Sequence, residues 1–336
     1  MGLNISQIIP KKEISLDDLK NKVLAVDASQ MLYQFLSSIR QPDGTPLMDS
    51  KNNITSHLMG ISTRIPNLIE RNIKLVFVFD GKPPSLKIHE KEQREHRKQL
   101  AEEKLEKARE EGDEESMLKY SKQSMRLSFK MSDEAKELIR AFGLPVIQSP
   151  SEAEAQCSFM AEKGDAYAVA STDFDSLLYS APRLVKNITI SQRRKVRNTY
   201  VKISPELIEL KEVLKELDIN QDQLIVLAII IGTDYNDKIP RIGPKNALKL
   251  VRQNKNFDSL FKELKPDFDW KKIYAVFKSM PVMKNYQLKW SEPDTEKIKN
   301  ILVDKHDFSE ERVDKMLEKL TKKEKYQKGL SSFLNS

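Results

Sequence analysis

The chain has 336 residues, 39% of them apolar and 32% charged, with 57 Lys+Arg against 50 Asp+Glu for a formal charge of +7. That mixture supports a sizeable core and excludes a disordered, fibrous or collagen-like chain. The small basic excess, with a pI near 9.1, leaves a polyanionic partner open without requiring one. The single cysteine, Cys157, excludes an internal disulfide and suits a reducing compartment.

In chain order, the first residues lack a secretory pattern. They fit the loose myristoylation rule through Gly2 and Ser6, but no basic cluster or second acyl site would secure such an anchor. The longest apolar run, 224–231, falls short of the roughly 20 residues a spanning helix needs. The expectation is a soluble intracellular chain with no membrane partner: cytoplasmic, or nuclear in a eukaryotic source. Apolar runs at 23–26, 75–79 and 166–170 predict buried parallel strands. Each is followed by helical periodicity, the pattern of an α/β fold with a mostly parallel central sheet flanked by helices. Residues 145–147 form a weaker fourth candidate, and 195–200 an edge strand after a turn around Ser191.

Residues 87–130 are dominated by Lys, Arg, Glu and Gln. They read either as a solvated helix or helical hairpin with ion pairs one turn apart, or as a lid over a polyanion's path. Ser204 before Pro205 predicts a helix start. Residues 220–231 predict an apolar helix ending at Gly232, and 257–325 further helices, the last over about 309–326. A tail with its own apolar pattern follows.

The acids fall in a telling pattern. Asp27 ends the first predicted strand, Asp80 the second, and Asp173 and Asp175 lie just beyond the third. The carboxyl ends of strands in open α/β sheets are where ligands bind. Helix capping accounts for any one of them, but three strands all ending in Asp are harder to attribute to capping. Ser151 and Glu154 have capping-box spacing, which leaves Glu152 unexplained. Asp234 lies just past Gly232. Seven convergent acids would repel severely without cations, and an all-oxygen donor set favours Mg²⁺ or Mn²⁺ over zinc. His57, His89, His96 and His306 offer no zinc spacing. Two hard cations would suit attack on a phosphodiester, so the residues alone reach a metal-dependent phosphoryl hydrolase.

Val26-Asp27-Ala-Ser, Phe79-Asp80-Gly-Lys-Pro-Pro84, Pro150-Ser-Glu-Ala-Glu-Ala155, Thr172-Asp173-Phe-Asp175, Gly232-Thr-Asp234-Tyr and Ile242-Gly-Pro-Lys245 occur in the order and approximate spacing of the flap endonuclease family, structure-specific 5′ nucleases of replication and repair. The chain resembles that family from Gly2 to about residue 255 and again at its tail. The resemblance implies two Mg²⁺ (or Mn²⁺) sites, one on Asp27, Asp80, Glu152 and Glu154 and one on Asp173, Asp175 and Asp234. It implies that Lys87 and Arg94, two helical turns apart, grip the scissile phosphate. Tyr33 matches an aromatic that stacks on a base, where the residue alone reads as a buried helix-face tyrosine. Gly2, Arg40, Arg64, Lys122, Glu152, Gly232, Asp234, Gly243 and Lys245 match DNA-contacting positions. Residues 239–245 resemble a helix–hairpin–helix element that grips duplex DNA with K⁺. Asn246 and Gln123 stand where family members often carry a second basic residue.

The tail, with Gln327, Leu330, Phe333 and Leu334, resembles the peptide that docks on the sliding clamp, Leu334 replacing the usual second aromatic. The expected organisation is a nuclease core in two parts (1–100 and 115–258), an arch (85–130), C-terminal helices (259–326) and the clamp tail (327–336). The absence of a basic extension after that tail is more like archaeal members than nuclear ones. The expected activity is 5′ flap endonuclease and 5′–3′ exonuclease cleavage of branched DNA by a monomer. Two rivals are a non-catalytic scaffold for branched DNA and a haloacid-dehalogenase-type phosphatase. Clustered negative charge argues against the first, and Asp27-Ala-Ser29 lacks the second acid that the other wants.

Overall fold

Strands buried on both faces need apolar side chains at every position, and that requirement organises the molecule. The computed structural model describes residues 5–41, 43–189, 193–196 and 199–320. In chain order its elements are β1 (Lys12–Glu13), β2 (Val23–Asp27), α1 (Ala28–Ser38), α2 (Ser56–Glu70), β3 (Lys74–Phe79), α3 (Ile88–Glu111), α4 (Glu114–Gln123), α5 (Phe129–Ala141), β4 (Val146–Gln148), α6 (Ala153–Glu162), β5 (Ala168–Ala170), α7 (Asp175–Leu178), β6 (Arg183–Lys186), β7 (Arg193–Val196), β8 (Thr199–Lys202), β9 (Glu206–Glu209), α8 (Leu210–Glu216), α9 (Gln221–Ile231), α10 (Pro244–Gln253), α11 (Phe257–Leu264), α12 (Trp270–Ser279) and α13 (Thr295–Lys299). A helix over 310–320, α14, completes the described chain.

Seven strands form one sheet in the order β1-β9-β6-β5-β2-β3-β4. From β6 to β4 every neighbouring pair is parallel, while β9 and β1 add antiparallel edges. The three strands that precede acids, β5, β2 and β3, are therefore adjacent and point the same way. Alternation assigns their side chains. Leu24, Val26, Leu75, Phe77 and Phe79 enter one core with α1, α2 and α5, while Ala25, Val76, Val78 and Val169 enter the other with α6, α9 and α10. The C-terminal helices feed both cores: Leu260, Phe261, Ile273 and Phe277 one, and Ile298, Leu302, Val313 and Leu317 the other.

The polar segment is a helical hairpin. Ala101 and Ala108 of α3 are buried, α3 stops at left-handed Gly112, and Asp113 caps α4 by accepting from Ser116 N–H at 3.1 Å. Arg126 binds Glu95 at 2.7 Å and also Glu102, tying the hairpin's return to its outgoing helix.

Three sequence expectations need correction. The predicted helix start at Ser204–Pro205 leads into strand β9 instead. Its residues pair with β6 and β1, and the helix begins only at Leu210, so ladder hydrogen bonds override the local start signal. The predicted edge strand 195–200 is a two-strand hairpin, β7 with β8, separate from the main sheet. The third predicted strand is shorter than expected, Ala168–Ala170. Helix 220–231 forms as expected, with Asn220 and Gln223 making a reciprocal capping box. No described helix is long and apolar enough to cross a membrane. Gly2, Ser191 and the tail bearing Gln327, Leu330, Phe333 and Leu334 lie outside the described residues.

Candidate functional site

Asp27 ends β2 and caps α1, accepting from Gln30 N–H at 3.0 Å. Asp80 follows β3 directly, and its Oδ1 accepts from Ala153 N–H at 2.8 Å, so it caps α6 from across the fold. This corrects the capping box expected of Ser151 and Glu154. Ser151 Oγ instead donates to Lys82 O at 3.0 Å, and Glu152, the residue at the helix boundary, makes no side-chain cap. The two segments can meet because residue 81 is glycine. A Cβ there would lie 2.1 Å from Ser149 O, while Gly81 N–H donates to Ser151 O at 2.7 Å. Asp173 lies in the bend after β5, and Asp175 opens α7. Asp234 is delivered by the apolar α9, which ends at Gly232 with φ +96°. A Cβ at Gly232 would come within 2.9 Å of Lys238 N.

These seven acids act on one another as a connected group. Burial and then the charge of Asp80 push Asp27 well above the usual carboxylate range, and Asp173 adds to the effect. Glu154 is pushed up by burial and then by Asp175, Asp27 and Asp173. Glu152 is also raised by burial, against the pull of Lys87 and with the repulsion of Asp80 and Asp234. Each acid thus feels the charge of at least one other.

Two cations reach them from the hairpin's base. Lys87 Nζ lies 2.6 Å from Glu152 Oε2 and 3.1 Å from Asp234 Oδ2, and Arg94 Nη2 lies 3.4 Å from the same Asp234 oxygen. Burial opposes the charge on both, but the acids outweigh it and hold Lys87 and Arg94 more firmly protonated than usual. Burial likewise opposes ionisation of Asp234, yet Lys87 and Arg94 prevail and pull it below the ordinary range. Neutralisation is therefore one-sided, with Asp27 and Glu154 left among like charges. A set of carboxylate oxygens with surplus negative charge, of which those of Asp27, Glu152 and Asp175 belong to buried residues, fits a hard divalent cation. Among the described residues no three His, Cys, Asp or Glu side chains are already arranged as a metal-holding group. The acids are gathered, with Glu152 and Asp234 held by Lys87.

Tyr33 on α1 is 39% exposed, not buried as its position alone suggested, and Lys98 of α3 stands 5.3 Å over its ring. Arg40 is engaged within the protein, donating to Gly44 O at 2.7 Å and Ser121 O at 3.1 Å, which ties the α1 exit to α4. Arg64 lies on α2 beside Leu16 and Asn67. Lys122 is exposed on α4, and Lys245 is exposed in the first turn of α10 behind the boundary residue Gly243. No atom comes within 4 Å of a Cβ built on Gly243.

Sequence reasoning missed three residues here. Tyr235 and Tyr179 bond through their hydroxyls at 2.9 Å against Phe277, behind Glu152. Gln30 reaches the Asp173 loop. The spacing Asp27-x-x-Gln30 is a visible signal, though it suggests a local capping box and not that long-range contact.

Comparison with known proteins gives a consistent result. Residues 3–101 match the XPG N-terminal domain and residues 143–234 the XPG I-region. Flap endonuclease 1 of Hyperthermus butylicus is 50% identical over 331 residues, covering 96% of this chain and 95% of that protein. Flap endonuclease 1 of Pyrococcus furiosus is 50% identical over 325 residues with the same coverage. The solved flap endonuclease-1 from Methanococcus jannaschii superposes with a TM-score of 0.77 at 42% identity, covering 95% of this chain and 98% of that one. The catalytic core of Rad2, solved with a DNA substrate, shares the fold (TM-score 0.71, 23% identity, 95% of this chain and all of that one).

Proposed function

Because the chain belongs to the flap endonuclease 1 family, we propose that it is a divalent-metal-dependent, structure-specific 5′ flap endonuclease and 5′–3′ exonuclease of DNA replication, including Okazaki-fragment processing, and of repair. The observation that carries this reading is the connected group of seven acids at the carboxyl edge of β5, β2 and β3, with Lys87 and Arg94 facing it. Asp27, Asp80, Glu152 and Glu154 would hold one Mg²⁺ and Asp173, Asp175 and Asp234 a second, with Mn²⁺ able to replace either. When bound, the ions supply polarisation of the phosphodiester and activation of water.

The chain's own residues do the rest. Lys87 and Arg94 bind the scissile phosphate and offset the charge that grows on it in the transition state. Tyr33 offers a face for a base beside the cut. The hairpin of α3 and α4 confines the single-stranded arm. The amides at the start of α10, around Gly243 and Lys245, hold a duplex phosphate with the help of K⁺. The enzyme works as a monomer, and the tail residues Gln327, Leu330, Phe333 and Leu334 tether it to the sliding clamp.

The test is incubation of end-labelled 5′-flap DNA with and without Mg²⁺, beside Asp175→Ala. Mg²⁺-dependent cleavage near the junction by the wild type alone supports the proposal. Equal cleavage by the variant, or none by either protein, contradicts it.

A further inference from the structure

Gln30 is the third residue of α1, whose buried Met31, Leu32 and Phe35 fix its backbone in the core. That backbone N–H holds Asp27, of the first proposed ion site. The side chain crosses to the bend after β5, 143 residues away in sequence. Its Nε2 donates to Asp173 Oδ2 at 2.5 Å, and its Oε1 accepts from Thr172 N–H at 2.5 Å and from Ser171 Oγ at 2.7 Å. Ser171 Oγ also lies 3.3 Å from Glu154 Oε1 and accepts from Asp173 N–H at 3.2 Å. The amide cannot turn over, because a flip would set its oxygen against a carboxylate and its NH₂ against an N–H.

We propose that Gln30 is a positioning residue which pre-sets the Asp173 carboxylate and thereby governs the divalent-cation affinity of the second ion site. This deepens the function proposed above and rests on it. Asp173 sits in a bend outside any helix or strand, so without this partner its carboxylate has to be ordered when the ion binds. Gln30 holds that carboxylate from one side and the peptide N–H next to it from the other. One residue thus links Asp27 through its backbone to Asp173 through its side chain, setting the two proposed ion sites in a common frame. Outer partners of metal ligands typically change metal affinity about 10–100-fold when removed.

The experiment is Mn²⁺ binding to the full chain, followed by the electron paramagnetic resonance signal of free Mn²⁺, for wild type, Gln30→Met, Gln30→Asn and Asp173→Ala. The expectation is that Gln30→Met weakens one class of site about 10–100-fold, that Asp173→Ala removes that class, and that Gln30→Asn, which keeps the amide one methylene short, falls between. The metal-free melting temperature of Gln30→Met should stay near wild type. In cleavage assays its defect should appear as a raised Mg²⁺ requirement with an unchanged KM for flap DNA. A wild type with no Mn²⁺ site overturns the proposed function and this role together. A wild-type site that Gln30→Met leaves unaltered overturns the role of Gln30 alone, as does an affinity loss that Gln30→Asn and Gln30→Met share only in proportion to lost melting temperature.

Discussion

Two helices deliver charged groups to one cluster of carboxylates and reach it by opposite means. In α9 the residues from Leu224 to Ile230 are all buried, and that packing fixes the helix end from which Asp234 is presented. In the 24-residue α3 almost nothing is buried, and Arg94 on it and Lys87 just before it are held at the site by salt bridges. The first design gives a rigid floor. The second gives a cover whose position depends on charge, and therefore on salt and on what else carries charge nearby. If the hairpin confines a single-stranded arm as proposed, rigidity belongs in the floor and adjustability above it.

Mutations can break that contrast. The largest effect belongs to the floor. Asp27→Asn should lower flap cleavage by about three orders of magnitude or more, the scale of losing several kcal/mol of transition-state charge stabilisation. The same change should raise the melting temperature of the metal-free protein. The folded-state pKa of Asp27 lies above its unfolded value, so its ionisation penalises folding once pH exceeds the unfolded pKa, and asparagine removes that penalty while still capping α1. Calorimetry without metal checks the sign, and a fall in melting temperature would mean the acids are not in conflict. Next, Lys87→Ala should reduce single-turnover cleavage about 10²–10³-fold, as removal of a transition-state charge partner does elsewhere.

How much of this was legible in the sequence follows from the same contrast. The three acid-bearing strands read clearly, because strands buried on both faces are continuous apolar runs. Strands β6 and β9 did not, since each carries only two apolar residues between charged ends: Arg183 and Lys186, Glu206 and Glu209. Ser204–Pro205 is a sound local helix signal that strand pairing overrode. At the site, the ligand types and their order were visible, but not that Asp80 caps α6 or that Gln30 grips Asp173, because those hydrogen bonds join residues 73 and 143 positions apart.

Smaller predictions sharpen the comparison. Ile229→Ala in α9 should destabilise the fold by about 2–5 kcal/mol, whereas Leu100→Ala, at an exposed position of α3, should stay within about 0.5 kcal/mol. Chemical denaturation of both variants checks this, and equal effects would erase the distinction between floor and cover.

A further prediction concerns an acid in the opposite predicament. Asp49 accepts hydrogen bonds from Asn53 and meets His306 Nδ1 at 3.0 Å. Its partners overcome burial and hold its pKa well below the usual value. Its contribution is present above the unfolded pKa and disappears as pH falls through the folded one. Asp49→Asn should therefore lower the melting temperature at pH 6 and narrow the gap to wild type as the solution is acidified below about pH 4.

The central claim is that acids from separate strands and helices form one pocket for divalent ions. Anomalous diffraction from crystals of the protein soaked in Mn²⁺ tests it most directly. The account predicts two peaks about 3.5–4 Å apart among Asp27, Asp80, Glu152, Glu154, Asp173, Asp175 and Asp234, with Lys87 withdrawn from Glu152. Full Mn²⁺ occupancy elsewhere and none among these seven residues would contradict it.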